Sequence, residues 1–500
     1  MISPPPVNTE ILNLLAPLLV LVGAGLLFLM FGAFRNRVGT FQRALIVILY
    51  AAVLFYVGKL WNAEGWPILN GMLIIDRFSL FFTAVVTICA LGSVLTSANY
   101  LDRFGLDRSE YFALLFFATS GMVVLVSAYN LISLFLGLEL MSLSVYVLVG
   151  YRRRDFFANE AALKYFLLGA FAIAFFLYGV SMIYGLTGTT NFKGIMVEAT
   201  SRGIARDPLF LLAVALILAG FAFKISSVPF HMWVPDVYQG APTPITSLMA
   251  TAVKAASFAA FLRLFYMCFM MGSSKWSGII AVLAVLTMTL GNIVALVQRN
   301  IKRMMAYSSI AHAGYILIGL ASLSIESTRA ASSILYYLLA YSFMTIGAFA
   351  LISAVEKREG TRGLDIAEYA GLGLKKPFLG LAMAVFMFSL AGIPPTAGFF
   401  GKYYIFSAAV EGGHVGLAII GVLNSALSLY YYLRVLVVMY MQKGVEPLDV
   451  HDDLGVKVVL LVSLFAILWL GFGPERLLPG VESILEWTRV SVAKIASLGM

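Results

Sequence analysis

Apolar runs of about 20 residues, the length that crosses a bilayer as a helix, recur from one end of this chain to the other with only short polar breaks. In hydrocarbon every backbone amide must be bonded internally, so such a chain folds as a bundle of membrane helices. Composition agrees. Of 500 residues 61% are hydrophobic and 12% charged, and a mean hydropathy of +0.93 excludes an ordinary soluble domain. The expected fold is an all-α polytopic membrane protein.

Spans are placed at roughly 10–33, 42–60, 74–98, 110–128, 130–150, 158–184, 208–228, 242–270, 276–298, 304–323, 330–355, 377–411 (interrupted), 415–441 and 456–474, about fourteen in all. An even number puts both termini on one side. Loops after odd spans carry Arg35, Arg37, Arg43, Arg103, Arg108, Arg152, Arg153, Arg154, Arg299, Lys302, Arg303, Lys357, Arg358, Arg362, Lys375, Lys376 and Lys443. Loops after even spans carry about half as many, so the positive-inside rule places both termini in the periplasm of a bacterial inner membrane. The net charge of +9 is therefore read as loop asymmetry and not as a nucleic-acid surface. The first span opens behind a proline-rich, uncharged residues 1–7, which reads as a retained helix. Residues 481–498 alternate apolar side chains with Glu482, Glu486, Arg489 and Lys494, a pattern suited to the membrane interface. Cys89 and Cys268 lie in apolar segments and form neither a disulfide framework nor a metal set.

The stretch 222–254 is the most unusual. An apolar helix reaches Lys224, meets Pro229, breaks through Pro235 and a turn at 240–244, and restarts as a second apolar helix with its own lysine, Lys254. Charge at membrane depth is costly and marks ion or proton paths. Proline donates no backbone hydrogen bond, so Pro229 is expected to free the Ile225 carbonyl beside Lys224 and admit water there.

The same plan occurs twice. Tyr146 to Gly150 (Tyr-Val-Leu-Val-Gly) echoes Tyr315 to Gly319 (Tyr-Ile-Leu-Ile-Gly), and Lys164 to Leu167 echoes Tyr336 to Leu339. The seventh span breaks at Pro229 and the twelfth at Pro394 and Pro395; the eighth holds Lys254 and the thirteenth Arg434. A five-span unit used twice is inverted, because five is odd, and transporters of this plan bind at their broken helices. The divisions are 1–105 for three N-terminal helices, 106–272 for the first repeat, 273–442 for the second, and 443–500 for the last span and tail.

Glu139 lies mid-span in Leu138-Glu139-Leu140, with no basic neighbour in sequence, and must find a partner across the bundle or stay protonated. Lys224, Lys254 and Lys402 complete a candidate row; Lys402 stands beyond its break, seven residues past Pro395, whereas Lys224 stands before its own. Lys164, one turn after Glu160, is either half of a local ion pair or a relay. His231 and His312 are relays or satisfied core histidines. Arg434 is better suited to a fixed partner than to a proton carrier, since arginine does not deprotonate. Asp76, Arg77 and Lys59 sit at span ends and read as interfacial anchors, and Asp236 and Tyr238 as shapers of the turn.

Two charges about 4 Å apart interact by about 4 kcal/mol at an effective dielectric of 20, enough to move a proton when the pair opens. A row Glu139, Lys224, Lys254, Lys402 is thus expected to pass protons under an electrostatic stimulus from a neighbour. The chain carries no phosphate-binding loop, iron–sulfur cysteine set or dinucleotide fingerprint to drive this, so it is a passenger in a larger machine or runs on an ion gradient.

With these residues in view, the chain resembles the antiporter-like proton-translocating membrane subunits of respiratory complex I, over essentially its whole length. Lys224 with the stretch Pro229-Phe230-His231-Met232-Trp233-Val234-Pro235-Asp236 and onward to Pro244, and Arg303 to Tyr315, carry the resemblance, which favours the N branch of bacterial NADH-quinone oxidoreductase over its L and M sisters. Lys402 points the same way. The resemblance implies a proton path through Glu139, Lys224, Lys254 and Lys402, no cofactor and no metal in this chain, and NADH, FMN, iron–sulfur clusters and quinone in other subunits. It implies subunit M and the small subunits K and J as neighbours within the lipid bilayer. The alternative is a subunit of a multisubunit Na+/H+ antiporter, which shares the fold and the lysines.

Overall fold

The structure, a computed structural model, describes residues 8–34, 37–63, 65–324, 327–357, 363–443 and 453–473. The expected loop charges Arg35, Arg358 and Arg362, and the interfacial tail at 481–498, lie outside the described residues. Among the described residues twelve helices are long and apolar enough to cross a membrane. Two shorter apolar helices, Pro208–Lys224 and Pro377–Ala391, stand where the seventh and twelfth spans are expected to break.

Three helices open the chain: α1 (Asn8–Phe34), α2 (Thr40–Lys59) and α3 (Arg77–Phe104). A minimal antiparallel hairpin, β1 (Pro67–Ile68) with β2 (Leu73–Ile74), joins the last two, a small exception to the all-helical expectation. The first repeat comprises α4 (Ser109–Val126), α5 (Leu131–Val149), α6 (Phe156–Thr187), a short α7 (Phe192–Ser201), α8 (Pro208–Lys224), α9 (Val234–Gly240), and a span built of α10 (Thr243–Leu248), a π-turn at Met249–Val253 and α11 (Lys254–Leu264). The second comprises α12 (Ser273–Leu296), α13 (Ile301–Ala321), α14 (Arg329–Val355), a one-turn α15 (Leu372–Lys375), α16 (Pro377–Ala391), α17 (Ala397–Glu411) and α18 (Val415–Met441), before α19 (Leu454–Phe472).

Helix starts follow from capping chemistry. Asp76, Asn130, Asp155, Asn191, Asp207 and Asn300 each turn a side-chain oxygen onto backbone amides of the first turn that have no partner within the helix.

Matching contacts express the internal repeat. Leu131 N donates to Thr190 O at 2.9 Å and Phe192 N to Tyr129 O at 3.1 Å; in the second unit Ile301 N donates to Leu364 O at 2.8 Å and Ile366 N to Arg299 O at 2.9 Å. The helix pairs α4–α5 and α12–α13 meet through glycine at equivalent places. A Cβ on Gly121 would lie 2.3 Å from Met141 N, and one on Gly291 2.7 Å from Ala311 N. Small residues that let backbones touch are what drives helix pairing where lipid offers no hydrophobic force.

The span α10–α11 with α13 and α14 forms the enclosed middle of the bundle, while α1, α2, α6 and α12 keep much of their apolar surface outward. Leucines, isoleucines and phenylalanines such as Leu163, Phe171, Phe55 and Ile279 are exposed there, a surface suited to acyl chains.

Candidate functional site

Helix α8 ends by its own chemistry before the proline is reached. Ser226 adopts φ +68°, Ser227 N donates back to Ala222 O at 2.8 Å and Ser226 N to Phe223 O at 3.1 Å, the paired bonds of a Schellman cap. The expectation that Pro229 interrupts a running helix and frees the Ile225 carbonyl is therefore corrected: the helix has stopped by Ser226, and Pro229 follows a cis peptide within the connecting turn. Phe223 O also accepts from Trp233 Nε1 at 3.2 Å.

Lys224, in the last helical turn, is buried. Its ammonium donates to Ser142 Oγ at 2.6 Å and Tyr146 OH at 3.3 Å, with the rings of Tyr146 and Tyr165 at 5.4 and 5.8 Å. Ser142 and Tyr146 are one turn apart on α5, so a single helix face supplies both acceptors. Glu139 lies one turn earlier on the same helix and is only partly buried. It acts on Lys224 electrostatically, but no ion pair joins them among the described residues. In place of the expected direct pair, the ammonium meets the hydroxyls of Ser142 and Tyr146, and the Ser142 hydroxyl itself donates to Leu138 O.

From Lys224 an aromatic seam runs inward. Tyr165 stacks on Trp233 with centroids 4.4 Å apart, Trp233 meets Tyr238 edge-on at 6.4 Å, and Tyr238 OH lies 3.4 Å from Ser309 Oγ. Tyr238 is therefore part of the core and not merely a turn residue. Lys254 follows directly on the π-turn and donates to Ser309 O and Ser309 Oγ, both at 2.6 Å. A π-turn widens the helix and recurs at functional sites. One turn along α13, His312 places Nδ1 2.6 Å from Tyr337 OH and Nε2 3.0 Å from Tyr432 OH. Tyr432 in turn bonds Ser308. A neutral imidazole donates through one nitrogen and accepts through the other, so a histidine bonded at both can hand a proton across by exchanging tautomers.

The second break repeats the first. Gly392 adopts φ +87°, Ile393 N donates to Phe388 O and Gly392 N to Ser389 O, each at 3.0 Å. The Pro394–Pro395 peptide beyond it is again cis. Lys402, on α17, reaches back over the break and donates to Leu390 O at 3.0 Å, Ala391 O at 2.9 Å and Ser425 Oγ at 2.9 Å, with the Tyr315 ring at 5.1 Å. The carbonyls it covers belong to a helix C-terminus, whose partial negative charge suits a cation. Lys224, Lys254 and Lys402 are 4%, 1% and 4% exposed, so all three point into the bundle and not into lipid.

Arg434 does not occupy the place of Lys254 in the second repeat. Lys254 stands eleven residues past Thr243, at the start of its span, and Arg434 nineteen past Val415. Arg434 instead donates to Leu296 O at 2.8 Å and to Gln298 O, closing the end of α12. Lys164 sits away from the row, paired with Glu160 and Asp236, each at 2.7 Å. Asp236 also accepts from Arg303 at 2.6 Å, so it links three elements and does more than shape a turn. His231 is half-buried in the turn between α8 and α9, with no hydrogen bond to the lysine row among the described residues.

Four charges, Asp76, Arg263, Glu356 and Lys302, are buried where the sequence reading did not expect it. Asp76 is no interfacial anchor: it is fully buried, caps α3, and grips Arg263 through both oxygens at 2.8 and 3.1 Å. Arg263, in Phe261-Leu262-Arg263-Leu264-Phe265, was open to the same rule that singled out Lys254. Glu356, hidden in a charged loop sequence, caps α14 and accepts from Arg152 at 3.2 Å, Tyr100 at 3.2 Å and Thr243. Lys302 completes that corner, donating to Ala241 O at 2.7 Å. Among the described residues no group of three or more His, Cys, Asp or Glu side chains is placed to hold a metal.

The chain as a whole is similar to known membrane proteins. A family model described as NADH:quinone oxidoreductase/Mrp antiporter, TM, matches residues 128–428. NADH-quinone oxidoreductase subunit N of Trichlorobacter lovleyi is 50% identical over 414 residues, 83% of this chain and 84% of the relative. That of Rhodospirillum rubrum is 41% identical over 472 residues, 94% of this chain and 96% of the relative. A chain of respiratory complex I from Thermus thermophilus with bound aureothin superposes with a TM-score of 0.77 at 34% identity, covering 93% of this chain and 98% of that one. The chain belongs to the NADH:quinone oxidoreductase/Mrp antiporter transmembrane family, and within it to the subunit N group.

Proposed function

We propose that this chain is a proton-translocating membrane subunit of an NADH-quinone oxidoreductase, moving protons while NADH oxidation and quinone reduction proceed in other chains that hold the FMN and iron–sulfur clusters. The observation that carries this reading is the row of three buried ammonium groups, each bonded to hydroxyls or backbone carbonyls and, among the described residues, none to a carboxylate. A proton held only by neutral acceptors responds strongly to a charge placed nearby, because the interior screens poorly. Glu139, one turn before Ser142 on α5, would act on Lys224 through space, and Ser309 with His312 would link Lys254 to Lys402. Lys164, His231 and Arg434 stand outside the transfer row, Lys164 in ion pairs with Glu160 and Asp236 and Arg434 on the carbonyls at the end of α12.

The division at 105, 272 and 442 separates an N-terminal helix group, two inverted repeats and a last span. Loop charge supports both termini on the periplasmic side of the bacterial inner membrane. Other membrane subunits are its partners, with M on one flank and the small subunits K and J on the other.

Lys224→Ala in the assembled complex, reconstituted in vesicles, should sharply reduce proton pumping driven by NADH; undiminished pumping would remove the row from the mechanism. The Na+/H+ antiporter reading predicts sodium-dependent alkalinisation of vesicles with neither NADH nor quinone present. The identity to subunit N relatives favours the first reading.

A further inference from the structure

A second charged feature lies apart from the lysine row. The loop between α3 and α4 and the loop between α5 and α6 converge on a cavity of about 870 Å³ lined by Arg108, Arg152, Arg153 and Arg154, with Phe156 and Phe157 at its edge. Arg152 is already engaged, bonded to Glu356 and close to Asp155. Arg108, Arg153 and Arg154 are exposed, and among the described residues none has a carboxylate within salt-bridge distance. Phe156 and Phe157, in the first turn of α6, turn 74% and 52% of their surface outward. Because α3 ends and α6 begins here, the cavity sits at the level where helices leave the hydrocarbon.

Loop asymmetry alone would put basic residues on this side of the bilayer, but it gives no reason for two separate loops to bring them to one cavity. Free guanidinium groups present planar forks that match phosphate oxygens two at a time. Aromatic rings beside them suit the boundary between headgroup and acyl chain. The leaflet on the basic side of a membrane protein is also the one rich in anionic lipid, which draws arginine clusters at its surface.

We propose that this cleft binds the phosphodiester headgroup of an anionic membrane phospholipid, with Arg108, Arg153 and Arg154 on the phosphate and Phe156 and Phe157 against the upper acyl chains. The assignment needs only that the chain lies in a bilayer and is independent of the proton path.

The test uses the assembled complex in vesicles containing phosphatidylglycerol or phosphatidylcholine with a photoreactive group on an early acyl carbon, read by mapping labelled peptides. Phosphatidylglycerol should label the peptides spanning 104–108 and 151–157, and phosphatidylcholine should not. Labelling should fall by about fivefold for each arginine changed in Arg108→Gln, Arg153→Gln and Arg154→Gln. Should the triple variant fail to assemble, salt titration of the unaltered complex answers the same question: labelling carried by arginines drops steeply with ionic strength. Equal labelling by the two lipids, or labelling indifferent to both arginine changes and salt, would overturn the proposal. So would complete displacement by millimolar inorganic phosphate, which would make the ligand a soluble anion.

Discussion

At the scale of single residues, this bundle treats its buried charges in two ways. Asp76 and Arg263 are locked together through two hydrogen bonds, with the Arg263 guanidinium 4.8 Å over the Phe78 ring, which fixes both and leaves nothing to transfer. Lys224, Lys254 and Lys402 meet neutral acceptors and have no ion pair among the described residues. The distinction is testable. Asp76→Asn strands a buried guanidinium and should destabilise the protein by about 3–5 kcal/mol, whereas the double change Asp76→Leu with Arg263→Met should recover most of that loss. Thermal unfolding in detergent measures both; a single variant as stable as the parent would show that the pair is not a structural lock.

At the scale of the element, both broken helices end in the same cap but with different residues at the left-handed position. Ser226 holds φ +68° at a cost of about 1 kcal/mol that glycine would avoid, so Ser226→Gly should raise stability by about that much. Gly392 gives the opposite forecast. A Cβ there would be strained at φ +87° and would lie 3.0 Å from Lys402 Cδ and 3.3 Å from its Nζ. Gly392→Ala should therefore lower both stability and NADH-driven proton pumping, by moving the ammonium off the Leu390 and Ala391 carbonyls. Pumping at the parent rate would mean that the cap and Lys402 are not coupled.

At the scale of the whole molecule, Glu356 joins the two repeats. It accepts from Arg152 and Thr243 of the first and lies beside Lys302 of the second, while Arg103 of the N-terminal group donates to its backbone carbonyl at 3.1 Å. Burial alone would push the Glu356 carboxyl up, but Lys302 and Arg152, with hydrogen bonds from Thr243 and Tyr100, outweigh it and hold the group below the usual carboxylate range. A depressed folded value means the stabilisation is fully present above the unfolded carboxyl value, about 4.5, and is lost as pH falls through the folded one. Unfolding midpoints measured from pH 7 downward should hold until about pH 4.5 and then fall. Glu356→Gln should lower the midpoint at pH 7, a loss of about 3–5 kcal/mol from uncompensated cations, and should flatten the acid limb. An unchanged acid limb in that variant would assign the pH response to other groups.

The fold class, the doubled plan and the lysines were legible in the sequence because each rests on local cost: apolar length, a broken helix, a charge in oil. Partnership was not legible. Nothing in the neighbourhood of Asp76 names Arg263, and the charged run around Glu356 looks like a solvated loop until five helix ends close over it. Sequence likewise placed the break at Pro229, the conspicuous residue, whereas backbone geometry put it at Ser226. What the sequence determined alone was which side chains must be hidden from lipid, since the price of exposing an ion there is set by the residue itself. What each hidden charge touches, and hence whether it is locked in a pair or left with movable protons, was decided only when distant helices packed, because a hydrogen bond depends on a few ångströms that no linear spacing specifies.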